Sequence, residues 1–589
     1  MNNLIILDFE TYFDKEITLK KLNYSEYIPQ ATPFIIATIR NNKLTCTDEI
    51  AKHLDLIDWN NTTVVGHNLL FDALVLKHWY NIEANQYIDT LSLARLHYPS
   101  IKHDLGSLAE RFCPTIPKLK ENLDAVKGKH WDELTNHEKE SLKTYCCNDV
   151  LITAKLYEHF INKTSQIELN IINHTIKTWI NPTLILDTNK ITNVIIQEQE
   201  EINKKLKKIN LTKENIRSDK KFYDYLKSKN YEPPLKFSTK QQKLIPAFSK
   251  TDSSFQEFYH NNPELQELLD LKRTINSNIL ESRTPKLLQA SKYNNNRIPV
   301  GYNYCGAFTG RFSGANKLNM QNLPKKSPLR DAIMAPEGYK LIVCDLAQIE
   351  ARVLAWLAGE TKILEAFKNN RDLYSEVASK IFNRPINKQD NPDERFIGKC
   401  AVLGLGYGMS APKFETFCAL QGRKLDSTFC YNIVNTYRTE FCKIPELWHL
   451  LQEHIHILQR QQTTRINDKL LIVNDQIILP SSRRLRYEGV EYTDMWRLRN
   501  NKRIYGALIV ENIVQAISRD ILVDQLLTIH PIYPVVMHTH DELVVCVPKQ
   551  TAQIALDFVL TTMKTPPLWA NDLPLNAEAD MGDRYGDCK

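Results

Sequence analysis

The chain has 589 residues, of which 43% are hydrophobic and 24% are charged, a composition typical of globular rather than disordered proteins. Its formal net charge of +6 is mildly basic, which permits a nucleic-acid partner without requiring one. No apolar stretch approaches the ~18 residues that a membrane-spanning helix needs, so the sequence argues against a membrane protein.

Cysteine usage and the start of the chain indicate the cellular compartment. The twelve cysteines include no C-x-x-C pair, which disfavours a zinc ribbon or a disulfide scaffold. The first residues lead at once into a strand-like apolar run and lack the pattern of a signal peptide. We therefore expect a reducing, cytoplasmic location.

Residues 1–160 alternate short apolar runs with segments of helical periodicity. This alternation predicts an α/β domain. The predicted elements are the strands Leu4–Leu7, Phe34–Ile39 and Thr63–Val65 and the helices Asp72–Trp79, Leu105–Arg111 and His137–Phe160.

The composition changes over residues 161–300, which are rich in Lys, Asn, Glu and Gln and have long helical periodicity. The lysines at positions 204, 205, 207 and 208 form a basic run, for which a solvated helix face is the simplest explanation. Glu232-Pro233-Pro234 breaks the helical pattern.

Four acids and a tyrosine in the N-terminal region suit metal chemistry. Asp8 and Glu10 follow the first apolar run at strand spacing and therefore share one face. Asp72 follows a later strand, and Tyr145 and Asp149 lie one helical turn apart. Carboxylate oxygens suit Mg²⁺, and a pair of such ions can activate water and stabilise a leaving oxygen. Singly, each acid would more simply be a surface charge.

Together these residues resemble the DnaQ-like 3′–5′ exonucleases that proofread for DNA polymerases. Asp8-Phe9-Glu10-Thr11, Asn68-x-x-Phe71-Asp72 and Tyr145-x-x-x-Asp149 match the three motifs of that family in order. The resemblance implies an RNase H-like fold and an active nuclease. Asp8, Glu10, Asp72 and Asp149 would hold two Mg²⁺ ions, and Tyr145 would orient the attacking water.

A second set of charged residues lies in the C-terminal half. The apolar run Leu341–Asp345 predicts a strand that ends in an acid. His540-Asp541-Glu542 separates the strand-like runs Pro534–Met537 and Leu543–Val547, which predicts a hairpin with acids at its tip. A strand and a hairpin that present acids side by side can hold two metal ions.

A helix between these acids suits a triphosphate. Arg395 and Lys399 are four residues apart, with Leu403 and Tyr407 predicted to continue along roughly the same face. Arg binds phosphate as a planar fork and Lys as a point charge. On pattern alone a solvated face explains Arg395 and Lys399 equally well.

In this half the chain closely resembles the family A DNA polymerases. Five ordered segments carry the resemblance: Thr309–Ser313 with Asn319–Pro324, Asp345–Arg352 (motif A), Arg395–Gly408 (motif B), Glu511–Gln515, and His540–Glu542 (motif C). The resemblance implies in-line attack of the primer 3′-oxygen on the α-phosphate of a dNTP, with two Mg²⁺ ions per active site and Mn²⁺ as a substitute.

The resemblance also implies roles for single residues. The catalytic residues would be Asp345, Asp541, Glu542 and Lys399, and the metal ligands Asp345, Asp541 and the carbonyl of Leu346. The nucleotide would contact Gln348, Glu350 (the steric gate against a 2′-hydroxyl), Tyr374, Arg395, Lys399, Leu403 and Tyr407. The DNA would contact Arg311, Asn319, Gln321, Asn322, Gln515 and His540.

We therefore expect a multidomain α/β and α+β protein, an RNase H-like exonuclease followed by a right-hand polymerase. The expected domains are the exonuclease (1–160), a mainly helical thumb (161–300), the palm (301–371 and 501–589) and the fingers (372–500). The expected partners are primer–template DNA and dNTPs, together with replisome proteins such as a helicase, a single-strand binding protein or a processivity factor.

Several positions depart from the family pattern. Leu346 and Ala347 replace a tyrosine and a serine, Tyr374 replaces a histidine, and Leu403 replaces an aromatic residue. The chain also has no room for the 5′-nuclease domain of cellular relatives. These departures indicate a bacteriophage replicative polymerase.

Two other functions remain open on the sequence alone. One is a nuclease whose polymerase half only binds DNA, and the intact pairs Asp345/Asp541 and Arg395/Lys399 argue against it. The other is a single-subunit RNA polymerase, against which Glu350 and the attached exonuclease argue.

Overall fold

The structure is a computed structural model that describes residues 3–119, 123–238, 241–249, 252–277, 279–325 and 327–588. The chain divides into two compact units. The first unit comprises residues 1–187, 286–353 and 450–589, and the second comprises residues 188–285 and 354–449. Within the described ranges, no helix is both long enough and apolar enough to cross a membrane.

The N-terminal part of the first unit combines a mixed sheet with helices. Its strands are β1 (Asn3–Thr11), β2 (Pro33–Arg40), β3 (Lys43–Thr47), β4 (Thr62–Gly66), β5 (Gln86–Asp89) and β6 (Ile185–Leu186). Its helices are α1 (Tyr24–Tyr27), α2 (Ile50–Leu54), α3 (Leu70–Tyr80), α4 (Thr90–His97), α5 (Leu105–Phe112), α6 (Leu123–Val126), α7 (Asn136–Ile161) and α8 (Gln166–Ile180).

The sheet of this part has the strand order β3-β2-β1-β4-β5. Strands β2 and β3 form a hairpin through Asn41 and Asn42, whose positive φ angles of 52° and 60° suit asparagine in a two-residue turn. The parallel neighbours β4 and β5 are connected through α3, because parallel strands need a crossover. Every predicted strand and helix of residues 1–160 lies within an observed one, which confirms the α/β prediction.

Helix α7 covers one face of this sheet. It begins after Thr135, whose side chain accepts the N–H of Glu138 while the Glu138 carboxylate accepts the N–H of Thr135. Its buried side chains include Leu142, Cys146 and Val150, and the helix contacts β1, β2 and β3. This packing brings the middle of α7 against the strand that carries Asp8.

The second unit begins with a largely helical segment. The four lysines of the basic run are exposed on its first helix, whereas neighbouring Ile202 and Leu206 are buried, as expected for a solvated helix face. The proline break predicted at 232–234 separates a helix from a hairpin. The elements are α9 (Thr188–Ile209), α10 (Lys213–Arg217), α11 (Asp219–Ser228), β7 (Leu235–Ser238), β8 (Lys243–Pro246), α12 (Ser253–Asn261), α13 (Gln266–Ser277) and α14 (Ile279–Lys292), which continues into the first unit.

The chain then returns to the first unit. Strands β9 and β10 pair with each other, and the short strand β11 pairs with β6. The long strand of this segment contains the predicted run Leu341–Asp345. The elements are β9 (Tyr302–Asn303), β10 (Ser313–Gly314), α15 (Pro328–Asp331), β11 (Ile333–Met334), β12 (Tyr339–Leu346) and α16 (Ile349–Ala358).

The second part of the second unit is helical. Its helices are α17 (Thr361–Lys368), α18 (Leu373–Phe382), α19 (Pro392–Leu405), α20 (Ala411–Leu420), α21 (Ser427–Glu440) and α22 (Lys443–Glu453). Helices α18 and α19 pack closely because Gly398 has no Cβ: one built there would clash with the carbonyl oxygen of Tyr374. Residue 398 lies between Arg395 and Lys399, so this close approach fixes the backbone that carries both cations.

The C-terminal part completes the first unit. Its strands are β13 (Thr463–Arg465), β14 (Leu471–Val473), β15 (Gln476–Ile478), β16 (Arg484–Arg486), β17 (Glu491–Tyr492), β18 (Trp496–Arg497), β19 (Val535–His538), β20 (Glu542–Pro548) and β21 (Ala577–Gly582). Its helices are α23 (Ile455–Gln459), α24 (Gly506–Ile529) and α25 (Ala552–Lys564).

An antiparallel sheet of order β19-β20-β12-β21 forms the centre of this part. The predicted hairpin is confirmed as β19 and β20. Helix α24 is buried along most of its length and contacts α25 and α8. Its Arg519 guanidinium donates to both carboxylate oxygens of Glu168 on α8, each at 2.8 Å. Both side chains are buried, so a desolvated ion pair connects the N-terminal and C-terminal parts of the first unit.

Candidate active sites

The first candidate site lies where β1, α3 and α7 meet. Asp8 and Glu10 lie on the same face of β1. The main-chain N–H of Phe9 donates to the Asp72 carboxylate at 3.1 Å, which holds α3 against the strand. Asp72 and Asp149 are buried, and their charges act on Asp8. The structure therefore brings together acids from three separate sequence motifs.

The electrostatics of this site favour a bound cation. Burial raises the pKa of Asp72 to about 7. Burial, with the nearby charges of Asp72 and Asp149, raises the pKa of Asp8 well above its usual range. Burial also raises the pKa of Asp149. Crowded carboxylates disfavour ionisation of one another, and a cation among them would relieve that repulsion.

A lysine that the sequence motifs did not indicate also contacts this site. The Lys118 ammonium donates to both carboxylate oxygens of Asp149 and lies 3.6 Å from the ring centroid of Tyr145. Lys118 comes from the loop between α5 and α6, where no periodicity or motif marks it. It is the cation that already compensates Asp149 in this structure.

A thiol was missed as well. The Cys146 S–H donates to the main-chain oxygen of Asp8 at 3.5 Å, and its sulfur lies 3.6 Å from the Asp8 carboxylate. Ligand atoms of Asp8, Glu10 and Cys146 all lie within 4.8 Å of one another. The position of Cys146 beside Tyr145 in the third motif was the available signal.

The second candidate site lies at the end of β12 and the tip of the β19–β20 hairpin. Asp345 pairs in register with Glu542, and the N–H of Leu346 donates to the Asp541 carbonyl at 2.9 Å. Burial, with the charge of Asp541, raises the pKa of Asp345 to about 7, and burial raises the pKa of Asp541. The two predicted acids are therefore neighbours, as the hairpin prediction required.

Glu542 has a different environment from the two aspartates. Its carboxylate accepts hydrogen bonds from Arg330 at 3.0 and 3.2 Å and from the Tyr585 hydroxyl, and it is buried. Two residues outside the motifs thus hold Glu542 in place. The His540 side chain is exposed, but local desolvation, with the Arg311 cation, lowers its pKa, so the imidazole is neutral near pH 7.

The predicted nucleotide and DNA contacts of the first unit cluster around α16 and α24. Glu350, in the first turn of α16, accepts a hydrogen bond from Arg311. Gln348 has a positive φ of 53°, and its buried Oε1 has no hydrogen-bond partner among the described residues. Gln515 on α24 donates to Glu511 at 3.2 Å.

The remaining predicted DNA contacts lie in the segment after β10. The Gln321 N–H donates to the side-chain oxygen of Asn319 at 3.0 Å. Asn319 and buried Gln321 therefore stabilise their own turn, whereas the Asn322 side chain is exposed.

The predicted triphosphate clamp lies on α19 in the second unit. Arg395 donates to Asp372 through Nε at 2.6 Å and Nη2 at 3.1 Å, and its guanidinium lies 5.3 Å from the Tyr374 ring centroid. Lys399 and Leu403 are exposed along the same helix. Asp372 is thus a partner of Arg395 that the motifs did not indicate.

One prediction for this helix is wrong. Tyr407 does not continue the helical face, because α19 ends at Leu405. Glycines at positions 404, 406 and 408 disfavour a helix here, and Gly408 has a φ of 75°, in the left-handed region where helices end. Tyr407 therefore lies in the turn that follows α19.

Comparisons with known proteins agree with this architecture. Residues 187–587 match the family model of DNA polymerase family A, and residues 27–165 match that of the 3′–5′ exonuclease. The chain belongs to DNA polymerase family A, with an exonuclease domain before the polymerase domain. The POL domain of Pol1 from M. smegmatis, in complex with DNA primer-template and dNTP, has a TM-score of 0.72 over 99% of this chain and 95% of that chain, at 18% identity.

Two sequence relatives support the same family. The DNA polymerase of Bacillus phage SP02 is 32% identical over 282 residues, which cover 44% of this chain and 43% of the phage protein. DNA polymerase I of Borreliella burgdorferi is 27% identical over 367 residues, which cover 60% of this chain and 39% of that protein. The chain thus spans less than half the length of these relatives.

Proposed function

We propose that the chain is a template-directed DNA polymerase that extends a primer 3′ end with dNTPs and proofreads with a 3′–5′ exonuclease. The observation that carries the proposal is the presence of two separate carboxylate centres in one family A chain. One is formed by Asp345 and Asp541, and the other by Asp8, Asp72 and Asp149. Membership of the family supports the order of the two activities along the chain.

The donor atoms of both centres fit divalent metal ions. Carboxylate and main-chain oxygens are hard ligands of the kind that Mg²⁺ and Mn²⁺ prefer. Burial raises the pKa values of Asp8, Asp72 and Asp345, and a bound cation would stabilise their ionised forms. We assign two Mg²⁺ ions to each centre, with Mn²⁺ as a substitute. The polymerase ligands would be Asp345, Asp541 and the Leu346 carbonyl, and the exonuclease ligands Asp8, Glu10, Asp72 and Asp149.

The protein groups would mainly bind and orient the reactants. When bound, the metal ions supply charge neutralisation at the phosphate and lower the pKa of the attacking oxygen. Arg395 and Lys399 on α19 would hold the triphosphate, with Lys399 as proton donor to the pyrophosphate. In the exonuclease, Tyr145 would orient the attacking water. These roles suit phosphoryl transfer, in which positioning and electrostatics supply most of the catalysis.

The remaining assignments follow the same proposal. Glu542 would steady the primer end from its place beside Arg330. Gln348, Glu350, Tyr374, Leu403 and Tyr407 would contact the nucleotide, and Arg311, Asn319, Gln321, Asn322, Gln515 and His540 would contact DNA. We assign the exonuclease to residues 1–160, the thumb to 161–300, the palm to 301–371 and 501–589, and the fingers to 372–500. Similarity to a phage polymerase supports a role in phage DNA replication in the host cytoplasm with replisome partners.

Primer extension on a defined template tests the proposal. The reaction is run with dNTPs, with rNTPs and without nucleotide. We expect extension with dNTPs alone and 3′ shortening without nucleotide. Efficient extension with rNTPs would indicate an RNA polymerase, and binding without extension would indicate a nuclease with a DNA-binding module.

A further inference from the structure

An ion pair links two segments that the sequence places 39 residues apart. Arg311 lies in the loop between β9 and β10, and Glu350 lies in the first turn of α16. The Arg311 Nη2 group donates to the Glu350 carboxylate, and the two side chains are 19% and 35% exposed, respectively. A partly buried charge-assisted hydrogen bond restrains a side chain more strongly than a surface pair does.

The backbone before Arg311 is fixed by buried contacts. Gly310 has a φ of 86°, and a Cβ there would clash with the guanidinium of Arg483. Arg483 is itself buried, pairs with Asp520 at 2.6 Å and donates to the carbonyl of Thr309 at 3.0 Å. Arg311 therefore reaches toward Glu350 from a rigid position.

Like charges lie near Glu350. The carboxylates of Glu511 and Asp541 are close enough to interact with the Glu350 charge, and the Arg311 cation acts favourably on both. Removal of the guanidinium would leave this repulsion with less compensation and would favour rotamers that turn the Glu350 carboxylate away.

A further hydrogen-bond donor of Arg311 is available to a bound molecule. Its Nε is buried and has no hydrogen-bond partner among the described residues. A buried donor without a partner is costly, so such a group is well suited to accept contact from a bound molecule. A primer or nucleotide oxygen could therefore engage Nε while Nη2 stays on Glu350.

We propose that Arg311 is a positioning residue for sugar discrimination: its guanidinium holds the Glu350 carboxylate where it excludes the 2′-hydroxyl of a ribonucleotide. The inference rests on the proposed function, in which Glu350 is the steric gate. A glutamate side chain has three rotatable bonds, and one that is not restrained samples rotamers that leave room for a hydroxyl. Restraint by Arg311 is therefore expected to add to the selectivity of this gate.

A double-mutant cycle tests the inference in the full chain. The variants Arg311→Met, Glu350→Ala and the double variant are compared in single-nucleotide incorporation, with Asp8→Ala and Glu10→Ala present throughout so that the primer stays intact. The measured quantity is the ratio of kcat/KM for dNTP to that for rNTP. We expect Glu350→Ala to lower the ratio most and Arg311→Met to lower it about tenfold, a typical size for loss of a charged hydrogen bond. In the double variant the ratio should equal that of Glu350→Ala.

The non-additivity separates positioning from general damage. A structural defect would lower kcat/KM for both nucleotides and leave their ratio unchanged. Arg311→Lys keeps the charge and should retain part of the discrimination, which covers the case in which Arg311→Met folds poorly. Lys325→Met is the matched control: it removes a cation 3.7 Å from Asp345, and the ratio should not change.

Each outcome has one meaning. An unchanged ratio in Arg311→Met, with Glu350→Ala effective, would overturn the inference and leave the gate in place. Multiplying effects in the double variant would also overturn it, because Arg311 would then act independently of Glu350. An unchanged ratio in Glu350→Ala would remove the gate from the proposed function, and the inference with it.

Discussion

The two carboxylate centres contain the same chemistry but differ in how their charges are compensated. In the first centre Asp149 is buried, and both of its carboxylate oxygens accept hydrogen bonds from the Lys118 ammonium. In the second centre the Asp345 side chain is 38% exposed, and the Lys325 ammonium lies 3.7 Å away with 69% of its side chain exposed. A cation that enters the first centre must compete with a built-in one, whereas the second centre is open to solvent. Similar acids can therefore have different metal requirements.

The largest expected effect is that a mutation in one centre abolishes one activity and leaves the other intact. Asp541→Ala should reduce primer extension to background and leave 3′ shortening intact, because the two centres share no carboxylate. Asp8→Ala with Glu10→Ala should do the reverse. Both activities are measured on one labelled primer–template, with Asp583→Ala, an exposed acid paired with Lys549, as the control. Loss of both activities in a folded Asp541→Ala protein would contradict two independent centres.

Removal of the Lys118 ammonium should increase the difference between the Mg²⁺ requirements of the two centres. Lys118→Met frees the Asp149 carboxylate, so the Mg²⁺ concentration for half-maximal exonuclease activity should fall by up to about tenfold, the scale of one charged hydrogen bond. The Mg²⁺ dependence of primer extension should not change. The control is Lys129→Met, which breaks an ion pair with Glu138. Glu138 lies on α7, the helix that also carries Asp149. A higher Mg²⁺ requirement in Lys118→Met would show that Lys118 assists the reaction instead of competing with the metal.

The metal-free protein should lose stability as the pH rises. The pKa of Asp72 is raised by burial from an ordinary value of 3.8 to about 7, so between these values the folded state binds more protons than the unfolded state. The melting temperature in EDTA should therefore fall from about pH 4 to 7 and then level off, and Mg²⁺ should restore it at pH 7. Asp72→Asn and Asp345→Asn should each flatten the slope, since the pKa of either carboxyl is raised to about 7. An unchanged slope in one variant would mean that its carboxyl does not retain a proton over this pH range in the folded state.

The smallest expected effect concerns Leu403 on α19. Its side chain is 49% exposed on the helix that carries Arg395 and Lys399, and it has no hydrogen-bonding group. We expect strong discrimination against dideoxynucleotides in the wild type. Leu403→Tyr should relax it by up to roughly tenfold, because a hydroxyl can replace the missing 3′-hydroxyl as a donor. Competition between dideoxy- and deoxynucleotide on one template measures this, and equal termination frequencies would exclude Leu403 from sugar recognition.

The sequence was most informative where function imposes a local pattern. Asp8 and Glu10 could be placed together because strand periodicity fixes their common face. Asp345 could be placed because it ends an apolar run, and Asp541 because it lies between two such runs. The strands and helices of residues 1–160 were predictable for the same reason. The sequence alone therefore predicts most of the chemistry of the two sets of acids.

The partners of these residues could not be predicted, because they meet only through the tertiary fold. Lys118 comes from a loop, Arg330 and Tyr585 hold Glu542 from positions 212 and 43 residues away, and Asp372 lies 23 residues from Arg395. No helical or strand period relates such positions. The end of α19 at Leu405 was also not predicted, although the glycines at positions 404, 406 and 408 indicate it in the sequence.

The ion pair between Glu168 and Arg519 bears on how this protein can be dissected. A fragment that starts after residue 187 would lack Glu168, and Arg519 would keep its 3.2 Å contact with Asp520 among the buried rings of Tyr304 and Phe312. Removal of one member of a buried pair typically costs about 3–5 kcal/mol, a large part of the stability of a single domain. A fragment that retains α8 from Ser165 onward keeps the pair, so the practical N-terminal limit of a stable polymerase fragment lies within the segment that follows the exonuclease.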